Sequence, residues 1–167
     1  MNYMAAGALH DRAPSCCKRK DGIPMNKKAE LFQDYLKEKQ IAAFTVDEIK
    51  DDVLNTVVFR SHIDVGGNQL PTLVILDSSI YCMIRLLVAP KALRDDNREA
   101  VLELMNGYNK KYKSFKYYAD DEGNLVMDTC VLFKDGEADG DMIYTMFNVI
   151  INHLNESYKD TMKAIWQ

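Results

Sequence analysis

The chain has 167 residues, 47% of them hydrophobic and 28% charged, which is ordinary globular composition at the length of one domain. Its 21 basic and 25 acidic residues leave a net charge of -4, a balance that repels phosphate backbones and argues against nucleic acid as a partner. No apolar run approaches the roughly 20 residues that span a bilayer, so the sequence predicts a soluble protein with no membrane partner.

Residues 1–24 carry no helical or alternating apolar period and read as a disordered N-terminal extension. Their basic residues Arg12, Lys18, Arg19 and Lys20 follow the short apolar stretch at 4–9 instead of preceding it, which excludes an export signal. Residues 18–22 require purine-rich codons shortly upstream of Met25, as a translated ribosome-binding site would. The physiological start is therefore expected at Met25, with a single domain over 25–167. Cys16 and Cys17 are adjacent, Cys82 and Cys130 lie in strand-like runs, and no C-x-x-C spacing occurs. With His10, His62 and His153 far apart in the chain, no metal site and no cofactor are expected, and the thiols suit a reducing cytoplasm.

Leu31, Phe32, Tyr35 and Leu36 recur at helical spacing over residues 27–40, behind Asn26 as an N-cap. Phe44 and Val46 suggest a short strand at 43–49. Residues 56–65 alternate, with Val57, Phe59 and Ile63 on one side and Arg60, His62 and Asp64 on the other. Gly66, Gly67 and Asn68 signal a turn into a strand at 70–76, where Pro71 points to an edge or to first positions. Residues 80–89 are apolar except Arg85, a continuity that predicts cover on both faces.

After Pro90, Asp96 and Glu99 form a D-x-x-E capping pattern for a helix through Tyr112, with Val101, Leu104, Met105, Tyr108 and Tyr112 as its stripe. A second hairpin follows, from Phe115, Tyr117 and Ala119 through the acidic turn 120–124 into a strand at 125–133. Residues 141–166 form a long amphipathic helix carrying Ile143, Met146, Phe147, Ile150, Leu154, Tyr158, Met162 and Ile165. The fold class is α+β: a twisted antiparallel sheet of about five strands packed by helices, in the order α-β-β-β-α-β-β-α.

The constellations that imitate chemistry have plainer readings. Asp135, Glu137, Asp139, Gly140 and Asp141 resemble the start of a calcium loop, but Met146 stands where a bidentate Glu is required and a strand precedes it. The last aspartates read instead as caps of the final helix. Asp120, Asp121 and Glu122 sit at a hairpin tip beside Gly123, where turn geometry favours them. Lys110, Lys111, Lys113 and Lys116 interleave with Tyr108, Tyr112, Tyr117 and Tyr118 like a nucleic-acid platform, yet helical and strand periods turn Tyr108, Tyr112 and Tyr117 inward. His62 and Arg60 read as surface groups and His153 as a helix-face group, with no nucleophile tied to either histidine. No catalytic, cofactor or metal residue is assigned, and the chain is not expected to be an enzyme.

The helix end LMNGYNKKYKSFKYY, with Asn106 and Asn109 ahead of the strand at 115–119, then DDEGNLVMD and the long final helix, resembles the bacterial YbjN family. Members of that family adopt a fold similar to the type III secretion chaperones, and the likeness extends over residues 27–166. The resemblance implies a non-enzymatic regulatory or chaperone-like protein, with a sensory-transduction label attached to relatives. It further implies a protein partner of unknown identity, or a second copy, held on apolar surface of the sheet and of the helix at 96–112. A small-molecule or cation-binding sensor using the acidic loops is the alternative.

Overall fold

The computed structural model describes residues 25–134 and 136–166. The readings made for residues 1–24, including the extension, the start at Met25 and the Cys16 and Cys17 pair, lie outside the described residues. The chain runs α1 (Lys27–Glu38), β1 (Thr45–Glu48), β2 (Val57–Val65), β3 (Asn68–Leu76), β4 (Tyr81–Ala89), α2 (Arg98–Lys111), β5 (Lys116–Ala119), β6 (Leu125–Leu132) and α3 (Gly140–Trp166). All strand pairs are antiparallel, in one six-stranded sheet of order β1-β2-β3-β4-β6-β5. The α+β architecture is as expected. Four strands precede α2 where the order had three, the additional one being the short β1 suggested at 43–49, which joins the sheet at its edge.

Local chemistry sets most boundaries. Asn26 caps α1 by accepting the Ala29 N–H at 2.9 Å, while its amide nitrogen reaches the carbonyls of Asn55 and Leu76, tying the helix start to the sheet. Gly66 and Gly67 both take positive φ, as the tight β2–β3 hairpin requires. Pro71 is tolerated in a strand that is not an edge because pairing of β3 with β4 begins only at Thr72. The start of α2 departs from expectation: Asn97, not Asp96, precedes the first helical residue. Its side chain makes no capping bond within α2 and instead donates to the carbonyls of Ala92 and Ile165, while Asp96 pairs with Arg94.

The three helices cover one face of the sheet. Phe32 of α1 meets Phe59 edge-on at 4.9 Å, Phe147 of α3 meets Phe44, and Tyr108 of α2 meets Tyr117 at 5.3 Å. Phe32, Phe59, Ile84, Leu86, Ile143, Ile150, Leu154 and Ile165 are almost wholly buried, each contributing about 1.5 to 3 kcal/mol by leaving water. Gly140 opens α3 beneath the Tyr35 ring of α1, where an added Cβ would lie 2.2 Å from a ring carbon. Only glycine permits that approach.

Among the described residues the opposite face carries no helix, which corrects the expectation for β4. Cys82, Ile84, Leu86 and Val88 are buried on the helix side, whereas Tyr81 and Arg85 are exposed and Met83 and Leu87 half-buried on the other. An unbroken apolar strand here reports one covered face and one apolar face left open.

Candidate functional site

Strand register places the open-face residues in rows. Val58, Ile75, Met83 and Cys130 stand opposite one another across β2, β3, β4 and β6, and Tyr81 stands opposite Leu132 one row further. The next row in the other direction is Arg60, Leu73, Arg85, Asp128 and Lys116. Arg85 clamps Asp128 through Nε at 2.9 Å and Nη2 at 2.7 Å, and Arg60 pairs with Asp47 of β1. A stripe of apolar side chains is thus bordered by a row of ion pairs, the anatomy of an apolar centre with a polar rim.

The stripe continues past the end of the sheet. Leu132 is 63% exposed, Tyr81 50% and Val53 92%, and Leu54 and Ile80 are exposed beside them. The Leu54 carbonyl accepts the Ser78 N–H and the Ile80 carbonyl accepts the Phe133 N–H, so these loops are held together at one end of the strands. Asp52 accepts the Thr56 N–H at 2.8 Å, and Asp51 and Asn55 hold left-handed φ, which fixes the turn that displays Val53 and Leu54. Apolar side chains on an ordered loop are presented at little entropic cost on binding.

The helix at 96–112 contributes less than the sequence implied. Val101 and Met105 are buried, and Leu102 is its exposed large apolar residue. Between α2 and β5 runs an open groove of about 760 Å³, lined by Leu93, Arg98, Leu102, Met105 and the acidic turn 120–122. In that turn the Asp120 carboxylate accepts from the Glu122 and Asn124 backbones and the Asn124 amide, and the Asn124 bonds hold it below its usual pKa. This is turn chemistry, as read from the sequence.

Asn109, singled out by its place ahead of β5, has a definite task. Its amide nitrogen donates to the Tyr117 carbonyl at 3.0 Å and its oxygen accepts the Tyr117 N–H at 2.8 Å. Both bonds serve backbone groups on the outer edge of β5, so a side chain stands in for a seventh strand. Lys116 adds bonds from Nζ to the carbonyls of Asn109 and Tyr112.

Behind that seal lies a polar cluster that sequence reasoning missed. His153 is buried at 4% exposure, ringed by Tyr108, Tyr112, Phe115 and Tyr117, with Nε2 2.8 Å from the Tyr117 hydroxyl and 3.3 Å from Ser157 Oγ. Among the described residues its buried Nδ1 has no hydrogen-bond partner. Burial, aided by Lys111, lowers the imidazole to about 4, and burial with Tyr108 nearby raises the Tyr117 phenol. The available signal was spacing: His153, Ser157 and Thr161 recur every four residues beside the apolar stripe, and all three are buried.

The remaining candidates stay apart. His62 is exposed near Gln69, and Asp139 caps α3 by accepting the Met142 N–H. Asp141 accepts the Tyr35 hydroxyl, and Asp135 lies outside the described residues. Among the described residues no group of three or more His, Cys, Asp or Glu is placed to hold a metal ion, and no helix is long and apolar enough to cross a membrane. A comparison with curated proteins returned no match. A family model described as YbjN, "Putative bacterial sensory transduction regulator", matches residues 66–160, from the β2–β3 turn into the last turns of α3.

Proposed function

The chain belongs to the YbjN family, and from that premise we propose that it is a non-enzymatic, cytoplasmic regulatory or chaperone-like protein that binds an apolar segment of another protein on the open face of its sheet. The observation that supports this reading is the stripe from Ile75 through Met83 and Cys130 to Tyr81 and Leu132, with Val58 buried at its β2 end, rimmed by the Arg85–Asp128 pair. Extended partner segments take affinity from such surfaces by placing alternate side chains on them. A second copy of the chain is the other candidate occupant.

Met83→Glu and Leu132→Lys place charge on the stripe at positions that are not part of the buried core. Both should abolish capture of a saturable protein partner from bacterial lysate while leaving the circular dichroism spectrum and melting temperature near wild type. Unchanged capture by both variants would overturn the surface. The second reading, a small-molecule sensor, is favoured by the α2–β5 groove, which offers Arg98 and carboxylates around apolar walls. It predicts a metabolite- or cation-dependent rise in melting temperature that Arg98→Ala removes.

A further inference from the structure

The two sides of β2 are not equally paired. β1 covers only Val57 to Arg60, while β2 continues to Val65. Val65 and Asn68 flank the two-residue turn and exchange hydrogen bonds, so Ile63 and Ser61 also face β3, and the even-numbered residues face the other way. The Ile49 N–H bonded to the Thr56 carbonyl confirms the parity, since Thr56 faces β1. Backbone N–H and C=O groups of His62 and Asp64 therefore project from the sheet edge, and among the described residues nothing pairs with them. Beneath them is a groove of about 320 Å³ whose walls include Phe44, Ile63, Tyr144, Phe147 and Ile151.

We propose that a second copy of this chain pairs antiparallel along this edge, with the two-fold axis at Ile63. The register follows from the residues. Placing Ile63 opposite its symmetry mate sets His62 opposite Asp64 of the other copy and Asp64 opposite its His62, so every free group on both edges is used. Two hydrogen-bonded pairs then form, about four backbone bonds, with an imidazole facing a carboxylate in each. Moving the axis to His62 would set Asp64 against Arg60, whose backbone is already taken by β1. Moving it to Asp64 would set two carboxylates against each other, which destabilises a cross-strand pair. Charge and hydrogen bonding thus select one register, and it joins two six-stranded sheets into a continuous one.

The inference rests on the reading of this protein as one that works through protein contacts, and it names a different surface from the open face. The test is sedimentation of the full chain across a concentration series, with His62→Asp and the swap His62→Asp/Asp64→His. The wild type should form a dimer, and His62→Asp, which sets like charges opposite at both symmetry-related positions, should weaken it at least about ten-fold. The swap restores opposite partners and should recover the dimer, a rescue that damage to the fold cannot imitate. Hydrogen exchange at the His62 and Asp64 amides should slow as the dimer forms. A monomer at all concentrations, or a dimer indifferent to His62→Asp, overturns the proposal, as would capture of a different protein at this edge by a monomeric chain. Met83→Glu should leave the dimer intact, so failure of the open-face reading and failure of this one are separately visible.

Discussion

The sheet ends in two edges that the chain treats in opposite ways. At β5 the outward N–H and C=O of Tyr117 are both occupied by the Asn109 side chain, and the strand is backed by α2 and the His153 cluster. At β2, beyond Arg60, the corresponding groups of His62 and Asp64 face outward above an apolar groove. An unpaired strand edge is a template for another chain, and proteins that need only solubility close both. Closing one with a dedicated side chain while leaving the other open would direct any strand pairing to one side of the molecule.

The sealed side should show the largest effects, beginning with acid. His153 titrates at about 4 in the folded protein against 6.5 in an unfolded chain, so between these values the unfolded state binds more protons and stability falls as pH falls. The loss from pH 6.5 to 4 should reach up to about 3 kcal/mol, level off below pH 4, and be missing from the pH profile of His153→Leu measured by urea unfolding.

Asn109→Leu comes next, at about 2 kcal/mol, because it strands a partly buried donor and acceptor together. Exchange of the Tyr117 amide should accelerate in the same variant, while the His62 amide is unaffected. Smallest is Asp64→Lys on the open side, expected to change monomer stability by less than about 0.5 kcal/mol, since no described contact depends on the carboxylate. A loss as large as that of Asn109→Leu would mean that the two edges are not different in kind.

Much of this architecture was legible in the sequence because periodicity reports it directly. The alternation of Val57, Phe59 and Ile63, the Gly66 and Gly67 turn and the stripe of α3 each correspond to an observed element. The start of α2 was misread because Asp96 satisfies a local pattern, while Asn97 answers to Ile165, 68 residues away. β4 was misread because apolar continuity does not say whether the second layer of helices exists. The Asn109 seal was marked only as a position, since its role depends on which strand becomes the edge. The open stretch of β2 depends on how soon β1 leaves the sheet, which propensity fixes no better than a few residues.

The contact between Gly140 and Tyr35 limits how the helical layer can move. Turning α3 about its axis, or advancing it by one residue, would bring Asp139 or Asp141 under the ring, and either would drive a Cβ into the space that glycine leaves empty. The ring acts as a pawl at the start of the helix. The far end of α3 is tied as well, because the Ile165 carbonyl accepts from the Asn97 amide and from Arg94, so a partner would meet the helix as a strut fixed at both ends.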